Sequence, residues 1–368
     1  MDWIDNYLEK ISVKVAAECE RMPEGIPYLA KDGHYNDMAA IDISWWTNGF
    51  FPGILWQLHA FTGKELFMDH AERVEAQLDC ALEEFIDLHH DVGFMWLHSA
   101  VANYRQTASP DSKIRGLKAA AILASRFNLK GQFLRAWNKE HTGWIIIDSM
   151  MNIPLLYWAS QETRDPRFEQ IAMAHADTVQ SKLIRKDGSS GHIASFDAET
   201  GAFIELIGGQ GYDAQSAWSR GQAWALYGFA LSYKHTKNQS YLETAVLIAN
   251  SFIANTSETN HIPRIDFRAP ATTNDTDTSA GLIACCGLLE IAAHVPETQQ
   301  AIYKESAVKI VTAILENYCD FDASTDGIVK GSTVAYHDLE GRNVSLVYGD
   351  YYLVECLLKL KGEALDLW

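Results

Sequence analysis

Helical periodicity recurs in pairs along the chain, and this repetition limits the fold more than any other feature of the sequence. Three segments share one pattern, in which an apolar helix ends at a short polar turn and an amphipathic helix follows it. The turns contain Thr62, Thr163 and Thr236, and an aromatic residue opens each following helix (Phe67, Phe168 and Tyr241). Repetition of a helix pair indicates a helical repeat architecture.

Counting outward from these turns gives six pairs of helices. Amphipathic helices with one charged face are predicted at about 2–21, 66–88, 111–127, 166–183, 239–255 and 299–318. Helices rich in small and aromatic residues are predicted between them, at about 46–61, 94–107, 148–161, 216–236, 276–293 and 344–360. A helix that is apolar nearly all round is buried. The two textures therefore predict six outer and six inner helices.

Twelve alternating helices favour an all-α fold, an (α/α)6 barrel of six inner and six outer helices. The alternative is an open helical solenoid, but the capping repeats that a solenoid needs are missing from the sequence. Residues 184–215 interrupt the helices with a Gly- and Ser-rich stretch, and its alternating part, GHIASFDAETGAFIEL, predicts a small β-hairpin over one end of the barrel. No composition break marks a linker, so residues 1–368 are expected to form one barrel domain.

Charge and composition exclude several classes of protein. The chain has 30 Lys and Arg against 48 Asp and Glu, a formal net charge of −18, which argues against a nucleic-acid partner. No apolar stretch approaches the roughly 20 residues of a membrane helix. The start, MDWIDNYLEK, lacks the regions of a signal peptide, and six cysteines without a CxxC pair are expected to be free thiols. We therefore expect a cytoplasmic protein without a membrane partner.

The inner helices of such a barrel run in one direction, so their N-termini share one rim. Trp46, Asp91, Asp148 and Arg220 each fall at or just before the start of an inner helix, and the hairpin bearing His192 can fold over the same opening. The two aspartates are 57 residues apart, about one helix pair, and are expected to be neighbours around the ring. Two carboxylates that face one pocket suit proton-transfer chemistry on sugars.

Each of these residues also has a structural interpretation. Asp148 precedes a helix and could serve only as its N-cap, and Asp91 lies in a Gly-containing loop where Asp often makes a turn. Arg220, near a helix N-terminus, is a ready partner for an anionic substrate, or else it pairs with Asp213 or another carboxylate of the rim. The alternatives stay open at this point.

A metal or nucleotide cofactor is not expected. His89, His90, Asp91 and His98 form a cluster in the sequence, but adjacent histidines point in different directions and no HExxH-like spacing is present. The GGQG segment at 208–211 is too short for a phosphate-binding fingerprint and lacks the strand-to-helix setting. Backbone flexibility beside a ligand is the more modest interpretation of these glycines.

Five segments together resemble the unsaturated glucuronyl hydrolases, glycoside hydrolase family 88. They are SWWTNGFFPG (44–53), HDVGF (90–94), WIIIDSMMNIPLLYWAS (144–160), GYDAQSAWSRGQAW (211–224) and YGDYYLVECL (348–357). The resemblance covers nearly the whole chain and implies an (α/α)6 barrel. It implies that Asp91 and Asp148 are the essential aspartates. By the same comparison, the positions that contact substrate match His192, Gln210, Arg220 and Trp224. The aromatic residues that line the pocket match Trp46 and Trp137.

The activity implied is release of a 4,5-unsaturated uronic acid from the non-reducing end of glycosaminoglycan-type oligosaccharides left by polysaccharide lyases. Such a substrate is an enol ether, which a carboxylic acid can protonate at C4 before water adds at C5. Asp148 is expected to be that acid. KGSTVAYHDLEGRNVS, near the C-terminus, shows no clear sulfate-reading pattern, which leaves the next sugar open. The alternatives are an unsaturated rhamnogalacturonyl hydrolase acting on pectin fragments and, in another class, a non-catalytic helical binding scaffold.

Overall fold

The six amphipathic helices predicted for the outer layer are present in the computed structural model, which describes residues 2–270 and 275–368. They span Asp2–Arg21, Glu65–Glu84, Pro110–Ser125, Pro166–Leu183, Gln239–Ser257 and Glu297–Tyr318. In the first of them Leu8, Ile11 and Val15 are buried while Val13 is exposed. Spacings of three and four residues place the buried side chains on one stripe, which packs on the inner layer.

The inner layer also follows the prediction. Its helices are Phe50–Thr62, the continuous run of Val92–Trp96, Leu97–Val101 and Ala102–Thr107, then Pro154–Thr163, Ser219–Thr236, Thr278–His294 and Val347–Lys361. Short 3-10 turns, Trp46–Gly49 and Ile147–Met151, precede the first and third inner helices. Neighbouring inner helices pack against one another, and the sixth packs against the first. The ring is therefore closed, which confirms the (α/α)6 barrel and excludes the open solenoid.

The repeated threonine ends an inner helix in the same way in each unit. Its Oγ1 donates to the carbonyl oxygen four residues earlier and accepts the N–H two residues later, at Thr62, Thr163 and Thr236. Thr107 repeats both contacts in a fourth unit that the sequence pattern did not include. The residues that follow these threonines have positive φ: Gly63, Ala108, Arg164 and Lys237. A left-handed residue after the last turn ends a helix and redirects the chain.

The predicted hairpin is present within residues 184–215. Strand Ile193–Phe196 pairs antiparallel with Phe203–Ile207, and a third strand, Trp144–Ile146, pairs with its other edge. This third strand leads directly into the turn that carries Asp148. The sheet therefore ties the hairpin to the rim of the barrel.

A second small sheet was not predicted. Strands Pro27–Lys31 and His34–Asp37 form a hairpin near the N-terminus, and Ser345–Leu346 pairs with the first of them. Strands of two to five residues are too short to show a clear alternation. A two-residue pair, Phe127–Asn128 with Phe133–Leu134, was missed for the same reason.

The six cysteines are free thiols, as expected. Within the described ranges, none of the helices is both long enough and apolar enough to cross a membrane.

Candidate active site

A cavity of about 600 Å³ opens at the rim formed by the N-termini of the inner helices. Six predicted site residues line it: Trp46, Asp91, Trp137, Asp148, Gln210 and Arg220. Other lining residues include Tyr28, Leu29, Trp45, His89, Ile146, Val334, Asp338 and Tyr348. The cavity is therefore walled by aromatic rings, with carboxylates and one guanidinium among the described residues that face it.

Asp91 lies at the start of the second inner helix, and its carboxylate makes no capping hydrogen bond there. Instead, Oδ1 accepts a hydrogen bond of 2.8 Å from Asn152 Nδ2, and Oδ2 lies 3.4 Å from both His89 Nδ1 and His90 Nε2. Burial alone would raise the pKa of Asp91, but His90, His89 and Asn152 stabilise the charged form and hold that pKa below its ordinary value. Asp91 is accordingly equipped to stay an anion.

Asp148 lies in the 3-10 turn before the third inner helix and is 7% exposed. Its carboxylate accepts no hydrogen bond from any residue that the structure describes, and Oδ1 is fully buried. His192 Nε2 lies 3.6 Å from Oδ1. Neither carboxylate caps its helix, which removes the N-cap explanation for Asp148. A buried carboxyl group without a hydrogen-bond partner lowers the stability of the fold, and such groups are common at functional sites.

His192 lies beside Asp148, where a hydrogen bond fixes the orientation of its ring. The Gln210 N–H donates to His192 Nδ1 over 2.9 Å, so a neutral ring carries its hydrogen on Nε2, towards Asp148. Gly209 makes this contact possible, since a Cβ at its position would lie 2.0 Å from His192 Nδ1. Gly209 also has φ of +60°, which favours glycine. Part of the GGQG segment thus serves the placement of one histidine.

The turn of Asp148 is fixed from the outer layer by His175. His175 Nδ1 accepts the Leu134 N–H over 2.9 Å, and its Nε2 lies 2.7 Å from Ser149 Oγ. Ser149 Oγ in turn donates to the Ile146 carbonyl oxygen over 2.6 Å. Burial lowers the pKa of His175 to about 3, so the ring is neutral and Nε2 donates. This support was not predicted, because His175 lies on an outer helix and not at the rim.

Arg220 is already paired within the protein. Its guanidinium forms an ion pair with Asp277 and also donates to the carbonyl oxygens of Thr333 and Val334. The Arg220 and Asp277 side chains are 1% and 0% exposed. The sequence left open that Arg220 pairs with Asp213 or another carboxylate of the rim. The structure shows such a pairing, and the partner is Asp277. Gln210 Nε2 donates to Val334 as well, so both residues hold residues 333–334 against the cavity.

Replacing Arg220 with Ala is expected to lower the free energy of unfolding by about 3–5 kcal/mol, because it leaves Asp277 buried and without its partner. Urea denaturation measures this loss. In the double variant Arg220→Ala/Asp277→Asn the buried charge is gone, so part of the stability should return. A loss below about 1 kcal/mol would instead identify a pair that solvent screens.

The three predicted tryptophans occupy different surroundings. Trp46 is half-buried and packs against Tyr348 in a tilted arrangement, with ring centroids 5.2 Å apart. Trp137 is half-buried too, at 5.9 Å from Trp144. Trp224 is wholly buried and packs against Phe94 at 5.1 Å. It does not line the cavity, because it lies one turn below Arg220 on the fourth inner helix.

Sequence reasoning missed several residues of the site. Tyr28 comes from the unpredicted N-terminal hairpin, and Asp338 comes from a loop without periodicity. Burial raises the pKa of Tyr28 to about 12, so its hydroxyl keeps its hydrogen. Asn152 could have been identified from the sequence, because it lies four residues after Asp148 and therefore on the same side of the helical turn.

His89, His90 and Asp91 place ligand-type atoms within 4.8 Å of one another, which is close enough to hold a metal ion. His98 does not join them. It is fully buried against Tyr351 and Trp368, with ring centroids 4.4 and 4.3 Å away. The expectation that the site uses no metal stays a prediction.

A closed (α/α)6 barrel with two buried carboxylates and aromatic rings around one cavity is typical of carbohydrate-processing enzymes. Comparison with known proteins gives the family. The model of Glycosyl Hydrolase Family 88 matches residues 19–353. The chain belongs to this family of glycoside hydrolases.

Relatives of similar length resemble this chain in sequence and in fold. The unsaturated glucuronyl hydrolase of Bacillus sp. (strain GL1) is 35% identical over 366 residues, 96% of this chain and 95% of the relative. The unsaturated chondroitin disaccharide hydrolase of Streptococcus pneumoniae is 32% identical over 87% of this chain and 82% of its own length. A crystal structure of unsaturated glucuronyl hydrolase from Bacillus sp. GL1 superposes with a TM-score of 0.90, at 33% identity, over 96% of this chain and 95% of that one.

Proposed function

We propose that this chain is an unsaturated glucuronyl hydrolase, which releases a 4,5-unsaturated uronic acid from the non-reducing end of glycosaminoglycan-type oligosaccharides. The observation that carries the proposal is a pair of aspartates at one aromatic cavity. Asp148 is a buried carboxyl group without a hydrogen-bond partner among the described residues. Asp91 is a carboxylate that its neighbours hold as an anion. The names of the relatives, glucuronyl and chondroitin disaccharide hydrolases, favour this substrate class over pectin fragments.

The reaction is hydration of the C4=C5 double bond. Asp148, carrying a proton, donates it to C4, and positive charge develops at C5 and the ring oxygen. The carboxylate left on Asp148 then takes a proton from water as the water oxygen bonds to C5. The product is a hemiketal, which opens and releases the neighbouring sugar. The anomeric bond therefore breaks only after the hydration step.

Asp91 has a different task in this mechanism, because its partners keep it charged. Its negative charge lies at the same cavity as Asp148. The same charge stabilises the cation that develops at C5. The Nε2 hydrogen of His192 points at Asp148 and is available when that residue becomes an anion.

The substrate is an anion, whereas the protein has a net charge of −18. Arg220 supplies a local positive charge at the cavity, although Asp277 offsets much of it. Tyr28 and Gln210 add polar groups at the same wall, and Trp46 and Trp137 offer ring faces to the sugar. Neutral donors and stacking are thus expected to contribute strongly to binding.

A panel of disaccharides made by lyases tests the substrate class. Glycosaminoglycan-derived unsaturated disaccharides should lose their conjugated-acid ultraviolet absorbance when the enzyme is added, and pectin-derived disaccharides should react at least about tenfold more slowly, a difference of roughly 1.4 kcal/mol. The heat-treated enzyme is the control. Faster turnover of the pectin-derived compounds would contradict the proposal and favour a rhamnogalacturonyl hydrolase.

A further inference from the structure

We infer that Asn152 is a positioning residue that holds the two carboxylate-bearing turns, those of Asp91 and Asp148, in a fixed relation to each other. The inference rests on the proposed function, because it assigns Asn152 a role in the reaction that Asp91 and Asp148 are proposed to carry out. It is drawn from the contacts of one fully buried amide.

The Asn152 side chain reaches both turns at once. Its Nδ2 donates to Asp91 Oδ1 over 2.8 Å and to the Asp148 carbonyl oxygen over 3.3 Å. Its Oδ1 accepts the Phe94 N–H over 2.8 Å. One amide group therefore joins the start of the second inner helix to the start of the third.

The orientation of this amide is determined by its neighbours. The Phe94 N–H is a donor and can contact only Asn152 Oδ1, and this leaves the Nδ2 hydrogens for the two oxygens. Gly93 allows the close approach, since a Cβ there would lie 2.5 Å from the Asn152 backbone and 2.6 Å from its Oδ1. The site is thus built around this side chain.

Other side chains cannot make the same set of contacts. Aspartate has the same shape but presents an acceptor to Asp91, and two carboxylates in contact repel each other. Alanine leaves the Phe94 N–H and Asp91 Oδ1 without a partner in a buried setting. An asparagine is therefore required by chemistry as well as by size.

The test compares Asn152→Ala and Asn152→Asp with a matched control, Asn103→Ala. Asn103 is also a buried asparagine whose Nδ2 donates to a carboxylate, Glu75 Oε2, over 2.7 Å, but it lies outside the cavity. In both Asn152 variants kcat should fall about 100-fold, because misplacement of a reacting group costs that much, while KM changes by less than about threefold. In Asn103→Ala kcat should stay within about twofold, even if thermal stability falls.

A double-variant cycle shows whether Asn152 acts through Asp91. In the Asp91→Ala background, assayed at high enzyme concentration, adding Asn152→Ala should reduce the remaining kcat by less than about threefold, because residues that act as a unit are non-additive. A full 100-fold loss in that background, or an unchanged kcat in both single variants, would overturn the inference. Circular dichroism and thermal melting identify a variant that fails to fold, and Asn152→Asp then supplies the reading because it keeps the shape.

The two proposals fail in different ways. If Asp91→Asn and Asp148→Asn both keep wild-type rates, the proposed function is wrong. If these two variants lose activity but the Asn152 variants do not, the proposed function stands and only the positioning role is wrong.

Discussion

Replacing Asp148 with Asn should lower kcat by about 10²–10⁴-fold, the range usual for loss of a general acid or base. The amide has the shape of the carboxyl group but cannot donate a proton to C4 and then accept one from water. Binding should be largely preserved, because the Asp148 carboxylate makes no hydrogen bond to the described residues that a substitution could break. Single-turnover kinetics with an unsaturated disaccharide, followed by ultraviolet absorbance, separates the two effects.

Asp350→Asn is a matched control for this variant. Asp350 is also a buried aspartate near the start of an inner helix, but its carboxylate accepts hydrogen bonds from the Ile328 and Val329 N–H groups and from the Tyr35 hydroxyl. Its substitution should reduce stability and leave kcat within about threefold of wild type. Equal rates for Asp148→Asn and the wild type would show that Asp148 is not the acid.

Much of the barrel was predictable because its helices repeat two patterns of apolar and polar residues. Outer helices show an apolar stripe, and inner helices such as Thr278–His294 are apolar nearly all round. The ends of inner helices were marked by Thr62 and its counterparts, whose hydroxyl groups make the same pair of contacts. Local patterns of this kind depend on a few neighbouring residues and can be read from the sequence.

The positions of Asp91 and Asp148 could be predicted because both precede inner helices and one helix pair separates them. The details around them depend on contacts between distant parts of the chain. The pairing of Arg220 with Asp277 spans 57 residues and competes with other rim carboxylates, so the sequence left it open. Trp224 matched a family motif, but the helix geometry buries its ring below the cavity. Such outcomes follow from packing, which a single sequence does not display.

The need for a double bond separates the proposed reaction from ordinary glycoside hydrolysis. An ordinary glycosidase forms an oxocarbenium-like transition state at C1, with two carboxylates around that carbon. The proposed enzyme instead protonates C4. A saturated uronide with the same carboxylate and linkage should therefore bind and compete with the substrate, yet remain uncleaved over a time in which the unsaturated compound is consumed.

Turnover in heavy water tests the site of protonation itself. Asp148 exchanges its proton with solvent, so the hydration mechanism predicts one deuterium at C4 of the released keto-uronate. Nuclear magnetic resonance or mass spectrometry of product trapped at early times detects this label before slower exchange beside the keto group obscures it. Product made in ordinary water and then placed in heavy water for the same time corrects for that exchange. One deuterium at C4 is the predicted result, and release of the sugar without a label at C4 would contradict the account.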